Sequence, residues 1–136
     1  MANSWTLTLL VGIGGFAGSI TRYRLSVFSQ QLTFEWPVGT FGANLLGCLF
    51  IGIITGLVAR SGSISPEARL ALATGFCGGF TTMSSMIYET AEMARASEYL
   101  HAVAYAAGTF FFSILAYFSG LFSARLIFKF GSGLWN

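Results

Sequence analysis

Four long apolar runs, each closed by a short polar stretch, set the pattern of this chain. A helix needs ~20 consecutive apolar residues to cross the hydrocarbon core of a bilayer, and each run meets that length. The spans are predicted at about residues 5–29, 37–59, 68–92 and 98–127. The first carries no formal charge from Trp5 to Thr21 and then meets Arg22 and Arg24. The second, Pro37 to Ala59, is charge-free and opens on a proline, which a first helical turn tolerates. The third is uncharged from Leu70 to Tyr88 and holds Gly78-Gly79 and Thr81-Thr82; the fourth is uncharged from Tyr99 to Ala124. Connections are short: Gln30 to Trp36, Arg60 to Glu67, and Glu89 to Glu98, whose first part still reads as helix. A small tail runs from Phe130 to Asn136. Membrane strands would need ~10-residue alternating segments, half the length of these runs. The chain therefore reads as one all-α four-helix transmembrane domain over residues 1–136.

Composition agrees. Of 136 residues 54% are hydrophobic and 9% charged, with a mean hydropathy of +0.70. A soluble domain carries about 25% charge. Seven Lys/Arg against five Asp/Glu form no basic stripe, which excludes nucleic acid as a partner. Cys48 and Cys77 lie inside apolar runs and read as small buried thiols; two cysteines make no metal set. No basic region precedes the first apolar run, so it is expected to be a retained span rather than a cleaved signal.

Glycine is abundant, at 17 residues, and spaced. Gly14 and Gly18 stand four apart, as do Gly52 and Gly56, while Gly42, Gly47 and Gly52 recur at five. Small residues let helices approach closely in lipid, where no hydrophobic force drives them together. Packing within the chain and packing between copies both fit this spacing, and the expectation is at least a dimer. Charge says little about orientation. Arg60, Arg69, Arg125 and Lys129 fall on one side, Arg24, Arg95 and the border residue Arg22 on the other. Such a near-tie under the positive-inside rule fits a chain inserted both ways round.

Enzyme constellations are scarce: neither G-x-S-x-G nor H-E-x-x-H occurs, and the chain is read as no enzyme. His101 is the one histidine and reads as a boundary residue. Aspartate is absent, and the carboxylates Glu35, Glu67, Glu89, Glu92 and Glu98 are expected at loops and span ends. A proton-coupled four-helix exporter needs an ionisable group near mid-membrane, and none is expected here. The groups inside the spans are neutral: Asn44 in the second, and Tyr105, Thr109 and Ser113 at four-residue intervals on one face of the fourth. Hydroxyls on helices often bond back to their own carbonyls, but three on one face with an amide nearby can also hydrogen-bond a dehydrated anion. In the third span the paired glycines should weaken the helix and expose carbonyls. Broken helices persist in membranes where protein or an ion satisfies them.

At these residues the sequence resembles the small bacterial fluoride channels, the Fluc or CrcB family. The matching segments are Gly14-Gly15-Phe16-Ala17-Gly18-Ser19-Ile20-Thr21-Arg22-Tyr23, Gly39-Thr40-Phe41-Gly42-Ala43-Asn44-Leu45-Leu46-Gly47 and Gly75-Phe76-Cys77-Gly78-Gly79-Phe80-Thr81-Thr82-Met83-Ser84-Ser85-Met86. The resemblance implies an antiparallel, dual-topology homodimer in the bacterial inner membrane, its third helix broken near the middle. Two fluoride pores would run along the subunit interface, exporting the anion passively: fluoride enters as neutral HF, dissociates in the cytoplasm and is driven out by the membrane potential. By motif position the fluoride pore would fall on Asn44, Met83, Met86, Tyr105, Thr109 and Ser113, the vestibule arginine on Arg22, and the carbonyls holding a central structural sodium ion on Gly78 and Thr81. Met83 and Met86 stand where the family usually has phenylalanines. An aromatic ring edge can face an anion, whereas a thioether sulfur is a weak acceptor and no donor. Fluoride would then depend more on Asn44 and the hydroxyls. Two other readings are a proton-coupled small multidrug-type exporter and a non-conducting membrane assembly subunit.

Overall fold

The computed structural model describes residues 3–31, 36–61 and 64–131. Glu35 and the end of the expected tail lie outside the described residues. Among those described the elements are α1 (Ser4–Gln30), α2 (Val38–Ser61), α3 (Pro66–Arg69), a π-helical stretch (Leu70–Cys77), α4 (Gly78–Phe80), α5 (Met83–Arg95) and α6 (Tyr99–Gly131). They make four segments long and apolar enough to cross a membrane, Ser4–Gln30, Val38–Ala59, Pro66–Arg95 and Tyr99–Leu126. The four expected spans are present, and the third is the interrupted one.

Local chemistry explains the boundaries. Ser65 caps α3 by accepting the Ala68 N–H at 3.1 Å, and Pro66 fills the first turn, where no N–H is needed. Between α5 and α6 the chain turns through Ser97 at φ 64°, the one non-glycine residue with positive φ among those described. The interruption of the third span falls three residues later than the paired glycines. Gly78 is helical, at φ −62° and ψ −37°, whereas Thr81 and Thr82 are extended, at φ −82°, ψ 155° and φ −152°, ψ 122°. Two β-branched residues favour that geometry, and the Thr82 hydroxyl then caps α5 by accepting the Ser85 N–H at 3.2 Å.

The glycine pairs serve packing inside the chain. α2 lies along α6, α1 along the first half of the third span, and α5 against α6. At Gly18 an added Cβ would meet the Phe76 carbonyl and the Phe80 N–H; at Gly52 it would meet the Tyr117 carbonyl. Gly14 and Gly56 face neighbours equally close. The spacing that favoured an oligomer is thus used by α1 and α2 against their own chain. Gly42 and Gly78 differ, with nothing within 4 Å of where a Cβ would stand.

So thin a bundle has little interior. Among the described residues Ala43, Cys77, Phe80, Met86, Ala102, Tyr105 and Ala124 are the buried hydrophobic ones, while Trp5, Leu9, Ile13, Phe16, Ile20 and Tyr23 form an exposed stripe along α1. A stripe at three- and four-residue intervals is one helix face. In water it would be an aggregation hazard; in a bilayer it meets acyl chains.

Candidate functional site

The interruption of the third span opens a cavity of about 410 Å³ between α2, α5 and α6. Asn44 and Cys48 reach it from α2, Thr81 and Thr82 from the break, Met83 and Met86 from α5, Thr109 and Ser113 from α6. None of its lining side chains carries a formal charge. Asn44, Met83, Met86, Thr109, Ser113 and Thr81, separated by up to 69 positions in sequence, meet around one space.

Asn44 does two jobs there. Its Oδ1 accepts the Thr82 N–H at 2.7 Å, and its Nδ2 donates to the Thr82 carbonyl at 3.1 Å. A broken helix leaves peptide groups unpaired, and a carboxamide matches one donor and one acceptor at once. One Nδ2 hydrogen is thereby occupied. The other, since a primary amide carries two, meets no acceptor among the described residues.

The α6 face is less uniform than its spacing implied. Tyr105, 1% exposed, donates its hydroxyl to Glu89 Oε2 at 2.6 Å. Thr109, 2% exposed, donates to the Tyr105 carbonyl one turn back, at 2.7 Å. Ser113 Oγ is buried and has no hydrogen-bond partner among the described residues. Ser113 is therefore the residue of this face whose O–H is uncommitted. Tyr105 sits a turn beyond the cavity lining, with Trp36 edge-on to its ring and to His101 at centroid distances of 6.5 and 5.9 Å.

Glu89 corrects the expectation that the carboxylates stand at loops and span ends. It lies within α5, half-buried, and accepts from Thr40 at 2.7 Å as well as from Tyr105. Thr40 is buried and stands one turn before Asn44 on α2. Neither residue was marked by sequence reasoning. The available signal was register: Thr40 precedes Asn44 by four, and Glu89 follows Met86 by three, so each extends a face already carrying a candidate.

Arg22 and the paired glycines lie on the other side of the break. Arg22 Nε donates to the Gly79 carbonyl at 3.3 Å, and Ser19 Oγ points at the same oxygen at 3.4 Å. Thr81 turns both its N–H and its hydroxyl onto the Cys77 carbonyl, at 2.9 and 3.0 Å. The Thr82 N–H goes to Asn44, so the Gly78 carbonyl loses the donor that a continuous helix would have given it. Met83 is 68% exposed on the open side of the cavity, Met86 9% exposed beneath it.

The family model described as CrcB-like protein, Camphor Resistance (CrcB), matches residues 9–121, which takes in the break, the cavity and most of all four spans. The chain belongs to the CrcB family. It is 46% identical over 118 residues to the fluoride-specific ion channel FluC of Chlorobium phaeobacteroides strain DSM 266, covering 87% of this chain and 92% of that one. The protein of the same name from Chlorobaculum tepidum is 47% identical over 118 residues, covering 87% and 94%. That from Phenylobacterium zucineum is 43% identical over 122 residues, covering 88% and 96%. In this CrcB chain the matched region thus includes Arg22, Asn44, the break at Thr81-Thr82 and the α6 face through Ser113.

Proposed function

We propose that this chain is a fluoride-selective channel that exports the anion passively across the bacterial inner membrane, lowering cytoplasmic fluoride toxicity. The observation that carries the reading is the chemistry of the cavity: a charge-free wall in which Ser113 Oγ is buried and unpaired and Asn44 keeps a spare N–H. A small anion leaving water must recover hydrogen bonds, because burying it without them costs far more than one bond returns. Neutral donors provide those bonds while letting the ion go, where a fixed Lys or Arg would hold it. The relatives named fluoride-specific ion channels, matched over nearly their whole length, support the same substrate.

The cavity is open along one side, and at Gly42 and Gly78 no atom of the described residues lies within 4 Å of where a Cβ would stand. These features, with the near-even charge split, support closure by a second copy in antiparallel orientation, completing pores at the interface. In that homodimer the Gly78 and Thr81 carbonyls of each copy would meet at the break. The Gly78 carbonyl has lost its helical donor, and carbonyls of unwound backbone are suitable sodium ligands. Sodium would coordinate these two carbonyls; Arg22 and Ser19 already serve Gly79. Met83 and Met86 would line the path beside Asn44. Thr109 spends its proton on α6 and contributes an acceptor, so donation falls to Asn44 and Ser113, with Tyr105 and Glu89 one turn beyond.

Glu89 gives the proton-coupled exporter one point in favour, since it is a half-buried carboxylate within a span. It stands two turns from the end of α5, in the last third of the segment Pro66–Arg95, whereas a proton-coupled exporter needs its ionisable group near the middle of a span. Liposomes reconstituted with the protein, loaded with potassium fluoride and treated with a potassium ionophore, separate the readings. A passive channel releases fluoride as the potassium path opens; an exporter requires an imposed proton gradient, and an assembly subunit releases none.

A further inference from the structure

Three of the six sulfur-bearing residues of the chain line the cavity described above. Cys48 stands on α2 one turn beyond Asn44, and Met83 and Met86 stand three apart on the adjoining helix α5. Cys48 is a free, half-buried thiol. The wall offers no carboxylate, imidazole or basic group, so hard divalent cations gain nothing there to offset their lost water. Thiolate and thioether sulfur are soft, polarisable donors that select monovalent d10 ions such as copper(I). The amphipathic balance of the cavity is therefore asymmetric: its oxygens and amide suit a small anion, its sulfurs a soft cation.

We propose that Cys48, Met83 and Met86 form a binding site for a soft monovalent cation, copper(I) or silver(I), and that the bound ion blocks the groove. The Cys48 thiol passes its proton to water as the metal–sulfur bond forms, and Met83 and Met86 donate sulfur lone pairs, so no oxidant or reductant is needed. All three residues come from one protomer, and one ion per protomer follows. The binding half of the proposal is independent of what the channel carries; the blocking half rests on the fluoride reading above.

Silver nitrate is the probe, used on the full-length protein in chloride-free buffer so that no silver chloride forms. Cys77→Ala serves as the parent, removing the other thiol. Equilibrium dialysis with metal analysis should find one silver per protomer at micromolar concentration. Fluoride release from liposomes should fall at least tenfold at the same concentration and recover on adding thiosulfate. Cys48→Ser should weaken silver binding at least a hundredfold, and Met83→Leu with Met86→Leu about tenfold, each judged against a normal gel-filtration profile. Inhibition is normalised to each variant's silver-free rate. Undiminished binding in Cys48→Ser overturns the site, and undiminished binding in the double leucine variant reduces it to a simple thiol adduct, which also overturns it. Silver bound with the expected dependence but without effect on fluoride release overturns the block. Silver bound as expected by a protein that releases no fluoride upholds the site and refutes the fluoride reading instead.

Discussion

Replacing Asn44 by alanine and by aspartate separates its two roles, because both should cost stability while only aspartate should all but abolish conduction. Alanine removes both hydrogen bonds to Thr82, at 2.7 and 3.1 Å. Each peptide group left unpaired costs ~1–3 kcal/mol. Thr82 is half-buried beside an open cavity, where water can reach it, so the low end applies and the total is about 2 kcal/mol. Aspartate still accepts the Thr82 N–H, but it sets a carboxylate oxygen against the Thr82 carbonyl to which the amide donated, at a residue only 8% exposed, so its cost is at least that of alanine, ~2 kcal/mol or more. For the passing anion the two replacements differ widely. Alanine withdraws one donor, about 1 kcal/mol or a fewfold to tenfold in rate. A carboxylate about 4 Å from the anion raises its energy by about 4 kcal/mol at an effective dielectric near 20, roughly a thousandfold in rate. Thermal unfolding in detergent and fluoride-electrode recording from liposomes read the two quantities. Both variants should be less stable than the parent, and the expected flux order is Asn, Ala, Asp. An aspartate variant that conducts like the parent, or as well as alanine, refutes a path past Asn44.

Ser113→Ala removes a buried hydroxyl without a partner; stability should hold or rise slightly while fluoride flux falls about tenfold, read by the same two assays. Thr109→Val loses only a bond back to α6, so flux should change less than threefold. Glu89→Gln should lower thermal stability by about 1–2 kcal/mol, because its amide meets one of the two hydroxyl donors of Thr40 and Tyr105 with a donor of its own. Gly52→Ala places a methyl against the Tyr117 carbonyl and should cost about 1–3 kcal/mol. Gly78→Ala meets nothing among the described residues of its own chain and should leave the unfolding of a protomer unchanged while weakening self-association, seen by analytical ultracentrifugation.

The four spans were legible because hydrocarbon tolerates no long charged stretch, and the charge-free runs carry that constraint in one dimension. Residues at helical intervals were legible too: Asn44, Thr109 and Ser113 reach a common cavity. The position of the break was not. Glycine permits a kink, but Gly79 is used for close approach to Gly15, and the helix opens where Thr82 finds both Asn44 and its own capping hydroxyl. Glu89 was hidden for a related reason. A carboxylate enters a bundle only where donors await it, and Thr40 and Tyr105 come from two other helices. The equivalence assumed for Tyr105, Thr109 and Ser113 failed at the level of protons. Spacing places three hydroxyls on one face, but which of them is already donating is settled by neighbours that periodicity does not encode.

The most direct test of the central claim is release of fluoride from sealed liposomes holding the purified protein, triggered by a potassium ionophore and followed with a fluoride electrode. A selective passive channel gives rapid, ionophore-dependent release at constant pH on both sides and no matching release of chloride. Fluoride that stays inside until a proton gradient is imposed, or chloride that leaves equally fast, contradicts it.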